Sequence, residues 1–464
     1  MHLPFFGADP DINISTSMGP FTDEGLYSAN IRNYISQNTF DFEKSDVPVK
    51  APLFSVLFYF PFLLFGSKLI VARVSVAAIS FLILISTLRT LNIKPLGALL
   101  IIPSILLQYH LFHFTHYALS EILAVMLTFF SLVLFGKKIN EKKFRAAGVL
   151  SSLIIFIVLL LKFNFVYLIP LIPLLSLFLW ITTKEKKFKS TFVASTLSLL
   201  FLSALYFFFF ILPHKELFFN VLKSQSQNKF VSISQLPGNI YLLVKYFFSG
   251  VLLPVSISFT VALILLFPFK EKIKTKDRAA LIPALLIWLI LESHKLSMSY
   301  LPTRYFIPLI FAMMIFSAIV FSTAFANGGK TLRAAIILLS AAFLTTNIFF
   351  YVKSYNRREY KLLSLSKKIS RLHLENETAL GNWSSSITWN SAIRTLPFIP
   401  DGFSDSLILQ KEKPRFIALW NNRAEIEAFE KINNINLLNI SDSIWHEKIG
   451  RFEVGIFWLP EKHE

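Results

Sequence analysis

Long apolar runs, most of them closed off by a short loop dense in lysine, recur along the chain from residue 68 to residue 352. A run of about 20 apolar residues carries a helix across the ~30 Å hydrocarbon layer, and no other kind of chain repeats this pattern so often. Ten spans are predicted, at 68–88, 95–110, 119–136, 146–163, 164–182, 191–212, 247–269, 279–292, 305–324 and 334–352. Hydrophobic residues make up 54% of the 464, with 50 Phe, so the lipid bilayer is the first partner the chain implies. The net charge of +18 does not point to nucleic acid, because the Lys and Arg residues crowd into short loops between apolar runs. With no cysteine, disulfides and thiolate metal sites are excluded.

The loops alternate in charge. "GKKINEKKFR" (136–145), "KEKKFK" (184–189), "KEKIKTKDR" (270–278) and "GGKTLR" (328–333) fall on one side, and "QYHLFHFTHYALSE" (108–121) and "SHKLSMSYLPTR" (293–304) on the other. The positive-inside rule makes the first set cytoplasmic. The N-terminal tail and everything after residue 352 are then outside. The tail agrees, carrying Asp9, Asp11, Asp23, Glu24, Asp41, Glu43 and Asp46 against Arg32, Lys44 and Lys50. Its opening, "MHLPFFGADPDINIS", has neither the basic start nor the apolar core of a signal peptide.

"PLFSVLFYFPFLLFG" (52–66) is apolar but short and interrupted by Pro61, so it is read as interfacial rather than spanning. After residue 352 the composition changes: five of the seven tryptophans lie there, at 383, 389, 420, 445 and 458. "PRFIALW" (414–420) and "FEVGIFWL" (452–459) predict strands, with "RAEIEAFEKIN" (423–433) as a helix between them. The expected architecture is a polytopic α-helical membrane protein with an outer first loop (1–67), a helix bundle (68–352) and a small C-terminal extracytoplasmic α/β domain (353–464).

Four constellations could carry chemistry. Asp23 and Glu24 open "DEGLYSANIRNYI", predicted as an amphipathic helix lying along the membrane surface. Acids in a first turn suit the helix dipole, and a carboxylate at a membrane surface also suits a general base. Lys50, in "VPVKAPL", is either a snorkelling anchor or a phosphate ligand at headgroup depth. Glu121 sits at the outer end of a span, where an acid must face water, a partner or a ligand. Before it His110, His113 and His116 recur at three-residue spacing, a weak candidate for a metal site. Arg304 and Tyr305, in "YLPTRYFIPLI", form an interfacial anchor or a guanidinium grip on phosphate. Two acidic and two cationic sites thus map to one face at one depth.

Their order, "DEG-Y", then Lys50, "ARVSVAA" (72–78), an acid in the second outer loop and a late "P-x-RY-x-x-P", resembles bacterial GT-C glycosyltransferases. The superfamily is that of dolichyl-phosphate-mannose protein mannosyltransferases and aminoarabinose transferases. The resemblance implies a GT-C fold in the cell inner membrane and a polyprenyl-phosphate sugar as donor. It also implies an outer-face acceptor (lipid, glycan or protein) and inversion at the anomeric carbon. Asp23 matches the catalytic aspartate, with Glu24 supporting it, and Glu121 stands where the family commonly has aspartate. Lys50 matches the phosphate-contacting lysine, although Ala51 follows it instead of proline. Arg304 matches the arginine of the late motif. No nucleotide is needed and no metal is expected to be obligatory. Family members begin with a membrane helix ahead of the first outer loop; this chain starts almost at that loop, so a missing first helix is expected.

A transporter or flippase for lipid-linked glycans is the rival class. It would place ionisable residues at mid-membrane depth, whereas Lys162, Asn164 and Glu292 fall near predicted span ends. A ligase or polymerase would put its site in a large late outer loop, and a sensor or scaffold would show a ligand signature in the C-terminal domain. The loop at 213–246 carries only Glu216 as an acid, and residues 353–464 show no such signature.

Overall fold

The computed structural model describes residues 3–14, 17–91, 107–226, 230–273, 280–398 and 408–461. Ahead of the bundle come α1 (Gly19–Gln37) and two short helices, α2 (Pro52–Val56) and α3 (Tyr59–Phe65). The bundle itself contains α4 (Leu69–Leu91), the short α5 (Tyr109–Phe114), α6 (Ser120–Asn140), α7 (Phe144–Leu161), α8 (Leu171–Thr183) and α9 (Lys186–Tyr206). It continues through α10 (Lys215–Ser226), α11 (Leu236–Phe247), α12 (Leu253–Ile273), α13 (Leu281–Glu292), α14 (Ile307–Asn327) and α15 (Lys330–Asn356).

Among the described residues eight helices are long and apolar enough to cross a membrane. The span expected at 95–110 falls mostly outside the described residues. The one expected at 279–292 is α13, whose 12 residues rise only about 18 Å, too little to cross unaided. The segment 52–66 is two short helices, as an interfacial stretch should be, with Phe60, Leu63, Leu64 and Phe65 exposed. The chain reverses sharply after α6 at Lys142 and after α8 at Lys184, both in the left-handed region. This antiparallel winding gathers residues near 121, 162, 292 and 304 at one end and leaves the lysine-rich turns at the other. Close helix contacts use small residues, as membrane bundles do. Ser131 and Ser151 exchange hydroxyl-to-carbonyl bonds between α6 and α7, and Gly148 leaves room for the Thr191 carbonyl of α9.

Beyond α15, α16 (Lys361–Ser370) leads to a five-stranded sheet of β1 (Thr378–Leu380), β2 (Arg394–Leu396), β3 (Phe416–Trp420), β4 (Ser443–Ile449) and β5 (Phe452–Trp458). The order is β2-β1-β3-β5-β4, with β2, β1 and β3 parallel and β5 antiparallel to both β3 and β4. Among the helices against it are α17 (Ser384–Ile387) and α18 (Arg423–Asn433), on opposite faces. Of these elements, β3, β5 and α18 match the sequence reading, while β1, β2 and β4 were not anticipated. Alternation along β3 sends Ile417 and Leu419 to a core with Phe429 of α18. It sends Phe416 and Ala418 the other way, into the core that contains α1 and the bundle.

That second core corrects the expectation for α1. It is not a surface helix with one wet face: Pro20 to Asn33 are almost all buried, between the bundle and the sheet domain. Its polar residues, which read as a water-facing stripe, are spent on the sheet domain instead.

Candidate functional site

Asp23 and Glu24 are adjacent on α1, so they point about 100° apart, and each meets a different arginine. Glu24 accepts two bonds from Arg73 of α4, Nε at 2.8 Å and Nη2 at 2.6 Å, and one from the Ala118 amide at 2.5 Å. Arg73 is itself fully buried and donates its Nη1 to the Ala8 carbonyl. Glu24, expected to support Asp23, has both carboxylate oxygens bonded and ties α1 to α4 and to the N-terminal loop.

Asp23 instead pairs with Arg304 at 2.8 Å and keeps 14% of its side chain exposed. Arg304 lies in the turn that opens α14 and reaches Asp23 past Gly19, at the start of α1. A Cβ at Gly19 would collide with the guanidinium, 2.5 Å from its Cζ. From Arg304 the ladder continues to Glu121, 3.5 Å from its Nε, and from Glu121 to Lys162 at 2.5 Å. Glu121 is in the first turn of α6, where the helix dipole favours an anion. Lys162 sits where the chain leaves α7 in an extended conformation, and its ammonium lies near the rings of Tyr27 and Tyr305.

Glu121, Lys162 and Tyr305 also line a cavity of about 390 Å³. Phe165, Val166, Met298 and Pro308 supply apolar walls; Asn164, His294, Lys295 and Tyr300 supply polar groups. Lys295 is held by Glu292 and by the Tyr305 carbonyl at 2.5 Å. Burial pulls the Lys295 ammonium below the usual lysine value, with Glu292 opposing that shift. Glu292 in turn accepts from Tyr167 at 2.5 Å and from the Trp288 indole at 3.0 Å. The cavity therefore has mostly apolar walls with two ammonium groups, Lys162 and Lys295, in its lining, and Glu121 joins it to the ladder of Arg304 and Asp23.

Not every candidate gathers there. Asp23 and Arg304 sit behind Glu121 rather than lining the cavity. Lys50 pairs with Asp46 and does not line it either. The histidine stripe comes apart: α5 ends at Phe114, so His116 is off the helix. His110 bonds Tyr246, His113 lies 3.9 Å from Asp11, and His116 packs on Phe5, Phe6 and Phe112. Among the described residues no group of three His, Asp or Glu side chains could hold a metal ion, which corrects that candidate. Sequence reasoning missed Arg73 and Lys295 as site residues and noted Lys162 and Glu292 only for their depth. The usable signal was a charge inside or just ending an apolar run, as in "LIVARVSV" (69–76) and "VLLLKFNF" (158–165).

No family model matches the chain, and no curated protein matches it by sequence. Solved structures do. ArnT from Cupriavidus metallidurans, crystallised with undecaprenyl phosphate, superposes with a TM-score of 0.59 at 12% identity, covering 98% of this chain and 95% of that one. The same protein in its apo state gives 0.56 at 13% identity, with 93% of each chain covered. An Archaeoglobus fulgidus oligosaccharyltransferase overlaps more loosely, at 0.47 and 12% identity, covering 86% of this chain and 64% of that one. With its long apolar helices, its helix α1 clamped beneath a small sheet domain and its near end-to-end superposition, the chain has an ArnT-like fold, that of a multi-pass membrane protein.

Proposed function

We propose that the chain is an inverting glycosyltransferase that moves a sugar from a polyprenyl-phosphate donor to a lipid, glycan or protein acceptor at the outer face of the cell inner membrane. The observation that carries this reading is the ladder Asp23–Arg304–Glu121–Lys162 beside a mostly apolar cavity that a second lysine, Lys295, also lines. The apolar walls suit an isoprenoid tail and the two ammonium groups suit its phosphate. The superposed ArnT, crystallised with undecaprenyl phosphate, adds support through its fold.

In this reading the acceptor hydroxyl attacks the anomeric carbon from the face opposite the phosphate. Asp23 takes the hydroxyl proton, and the bond from the anomeric carbon to the phosphate oxygen breaks. Its electron pair leaves on the polyprenyl phosphate, whose growing charge Lys162 and Lys295 stabilise in a water-poor site. Arg304 holds Asp23 in place, and Glu121 lies between Lys162 and Arg304 so that the two cations do not face one another directly. Tyr305 stays in the donor-binding reading as part of the cavity wall and through its carbonyl on Lys295, while Lys50 stands at the margin. The chemistry needs neither nucleotide nor metal.

The test is transfer in proteoliposomes from radiolabelled polyprenyl-phosphate sugars. Asp23→Asn keeps the shape but does not accept the proton, and is expected to lower kcat by about 10²–10⁴-fold. Full activity in Asp23→Asn with loss in Glu121→Gln moves the base to Glu121, which does line the cavity. No transfer by the parent chain from any such donor overturns the reading.

A further inference from the structure

One face of α1 presents Asp23, and the other is gripped along its length by the sheet domain. Gly25 packs so closely on α17 that a Cβ there would lie 2.6 Å from the Ser385 carbonyl carbon and the Ser386 nitrogen. Ser386 donates its hydroxyl to the Thr22 carbonyl, one residue before Asp23, at 3.1 Å. About two turns beyond Gly25, Arg32 is buried and donates to the carbonyls of Ser385 at 2.5 Å and Thr388 at 2.7 Å, and to the Thr388 hydroxyl at 3.1 Å. Its guanidinium lies 4.5 Å from the centroid of the Trp389 ring. Among the described residues no carboxylate pairs with it, and burial pulls it down to about 9. Asn33 completes a two-way bond with Thr395 of β2, giving its amide hydrogen to the carbonyl and accepting from the backbone N–H, both at 3.0 Å. Gln37 donates to the carbonyls of Glu375 and Ala392. Beyond the helix, Arg394 closes the set by pairing with both Asp41 and Glu412.

A buried charge with no counter-ion is costly unless hydrogen bonds satisfy it, and only one register of α1 against residues 385–388 gives Arg32 its bonds to Ser385 and Thr388, so Arg32 sets that register. The sheet face behind that contact shares its apolar core with α1 and the bundle. We infer that the C-terminal domain is the mount for the helix that presents Asp23, with Arg32 as its positioning residue, and is not a separable module for choosing acceptors. The inference rests on the reading of Asp23 as the base.

The test uses the full chain in proteoliposomes, with Arg32→Met, Arg32→Lys and, as a control on the far side of the domain, Arg423→Ala. A displacement near 1 Å at a reacting group costs up to about 10²-fold. Arg32→Met is therefore expected to lower kcat by about 10- to 100-fold, with the KM values of donor and acceptor within about twofold of the parent. Arg32→Lys, which keeps a donor in place, should recover part of that loss and serves alone where Arg32→Met does not fold. A second readout needs no turnover. The chain has no cysteine, so nitroxides at Ser36→Cys on α1 and Lys68→Cys at the base of α4 report one distance. That distribution should be narrow in the parent and in Arg423→Ala, and broader in the Arg32 variants. A raised acceptor KM with kcat intact overturns the inference, and so does an unchanged distribution when Arg32 is replaced. A parent chain that transfers nothing sinks the Asp23 reading, while the distance measurement still decides whether the domain mounts α1.

Discussion

Around Glu24 nothing is left over: both oxygens are taken by Arg73, one of them also by a backbone amide, and the group is fully enclosed. Around Asp23, one residue earlier, the arrangement is looser. The carboxylate is partly exposed, its arginine is shared with Glu121, and Glu121 is shared with Lys162, which opens on a cavity. Two identical charges on one helix thus sit in a closed knot and in an open ladder. The knot has no capacity to change partners without unfolding something. A ladder of shared partners can redistribute when a phosphate arrives or a proton moves. Adjacent carboxylates are a poor guide to which of them works; the number of partners left to exchange is a better one.

The sharpest way to break this comparison is at Arg73. Removing one member of a buried ion pair strands the other and costs about 3–5 kcal/mol. Arg73→Met is expected to lose that much stability, read from denaturant unfolding in detergent, whereas Asp23→Asn should stay within about 1 kcal/mol of the parent. Replacing both knot members by apolar residues, Glu24→Leu with Arg73→Met, should restore most of the loss, because no charge is then stranded. An Arg73→Met protein as stable as the parent but unable to transfer sugar would show that the knot belongs to the chemistry after all.

A smaller effect is expected where the ladder touches α1. Gly19 leaves the space that the Arg304 guanidinium fills, and Gly19→Ala forces one of them to move. Overpacking of this kind costs about 1–3 kcal/mol. Because the atom displaced is the Asp23 partner, kcat should fall by about tenfold, in step with that cost. Equal turnover in Gly19→Ala would mean that Asp23 does not need Arg304, and the ladder would start at Glu121.

Much of this was legible from the chain. Apolar runs and the lysine clusters between them located all eight of the described crossing helices. Offsets remain at α9, which starts five residues before its predicted span, and at α15, which runs four residues further at each end. Strands β3 and β5 announced themselves by their aromatic and β-branched residues, and Asp23, Glu121 and Arg304 were singled out by unusual charge at a membrane boundary. What was not legible depends on distant pairing. Glu24 looks like Asp23 until Arg73, 49 residues away, is brought to it. "TAL" and "RTL" are too short to signal strands alone and exist because β3 lies beside β1. The partners of Arg32, Asn33 and Gln37 were not legible either, because nothing local says that a sheet domain some 350 residues later will cover them. The histidine spacing failed for a local reason, since the helix ends before the third histidine is reached.

The smallest expected effect on transfer is at Lys50, and it sharpens the comparison from the donor side. Lys50 is partly exposed and pairs with Asp46 four residues earlier, which is itself buried. Lys162 is enclosed, pairs with Glu121 and lines the cavity. If donor phosphate is read by the groups that line the cavity, Lys162→Met removes a charge-assisted bond worth about 1.5–3 kcal/mol and raises donor KM by roughly 10- to 100-fold. Lys50→Met should leave donor KM within about twofold, its cost falling on stability because Asp46 loses its counter-ion, at about 1–3 kcal/mol. The two lysines differ in sequence only in their neighbours, a proline-flanked turn for one and the end of an apolar helix for the other. A large rise in donor KM for Lys50→Met with none for Lys162→Met would reverse the assignment. The donor would then approach from the side of α2 and α3, whose exposed Phe60, Leu63, Leu64 and Phe65 already offer an apolar surface there.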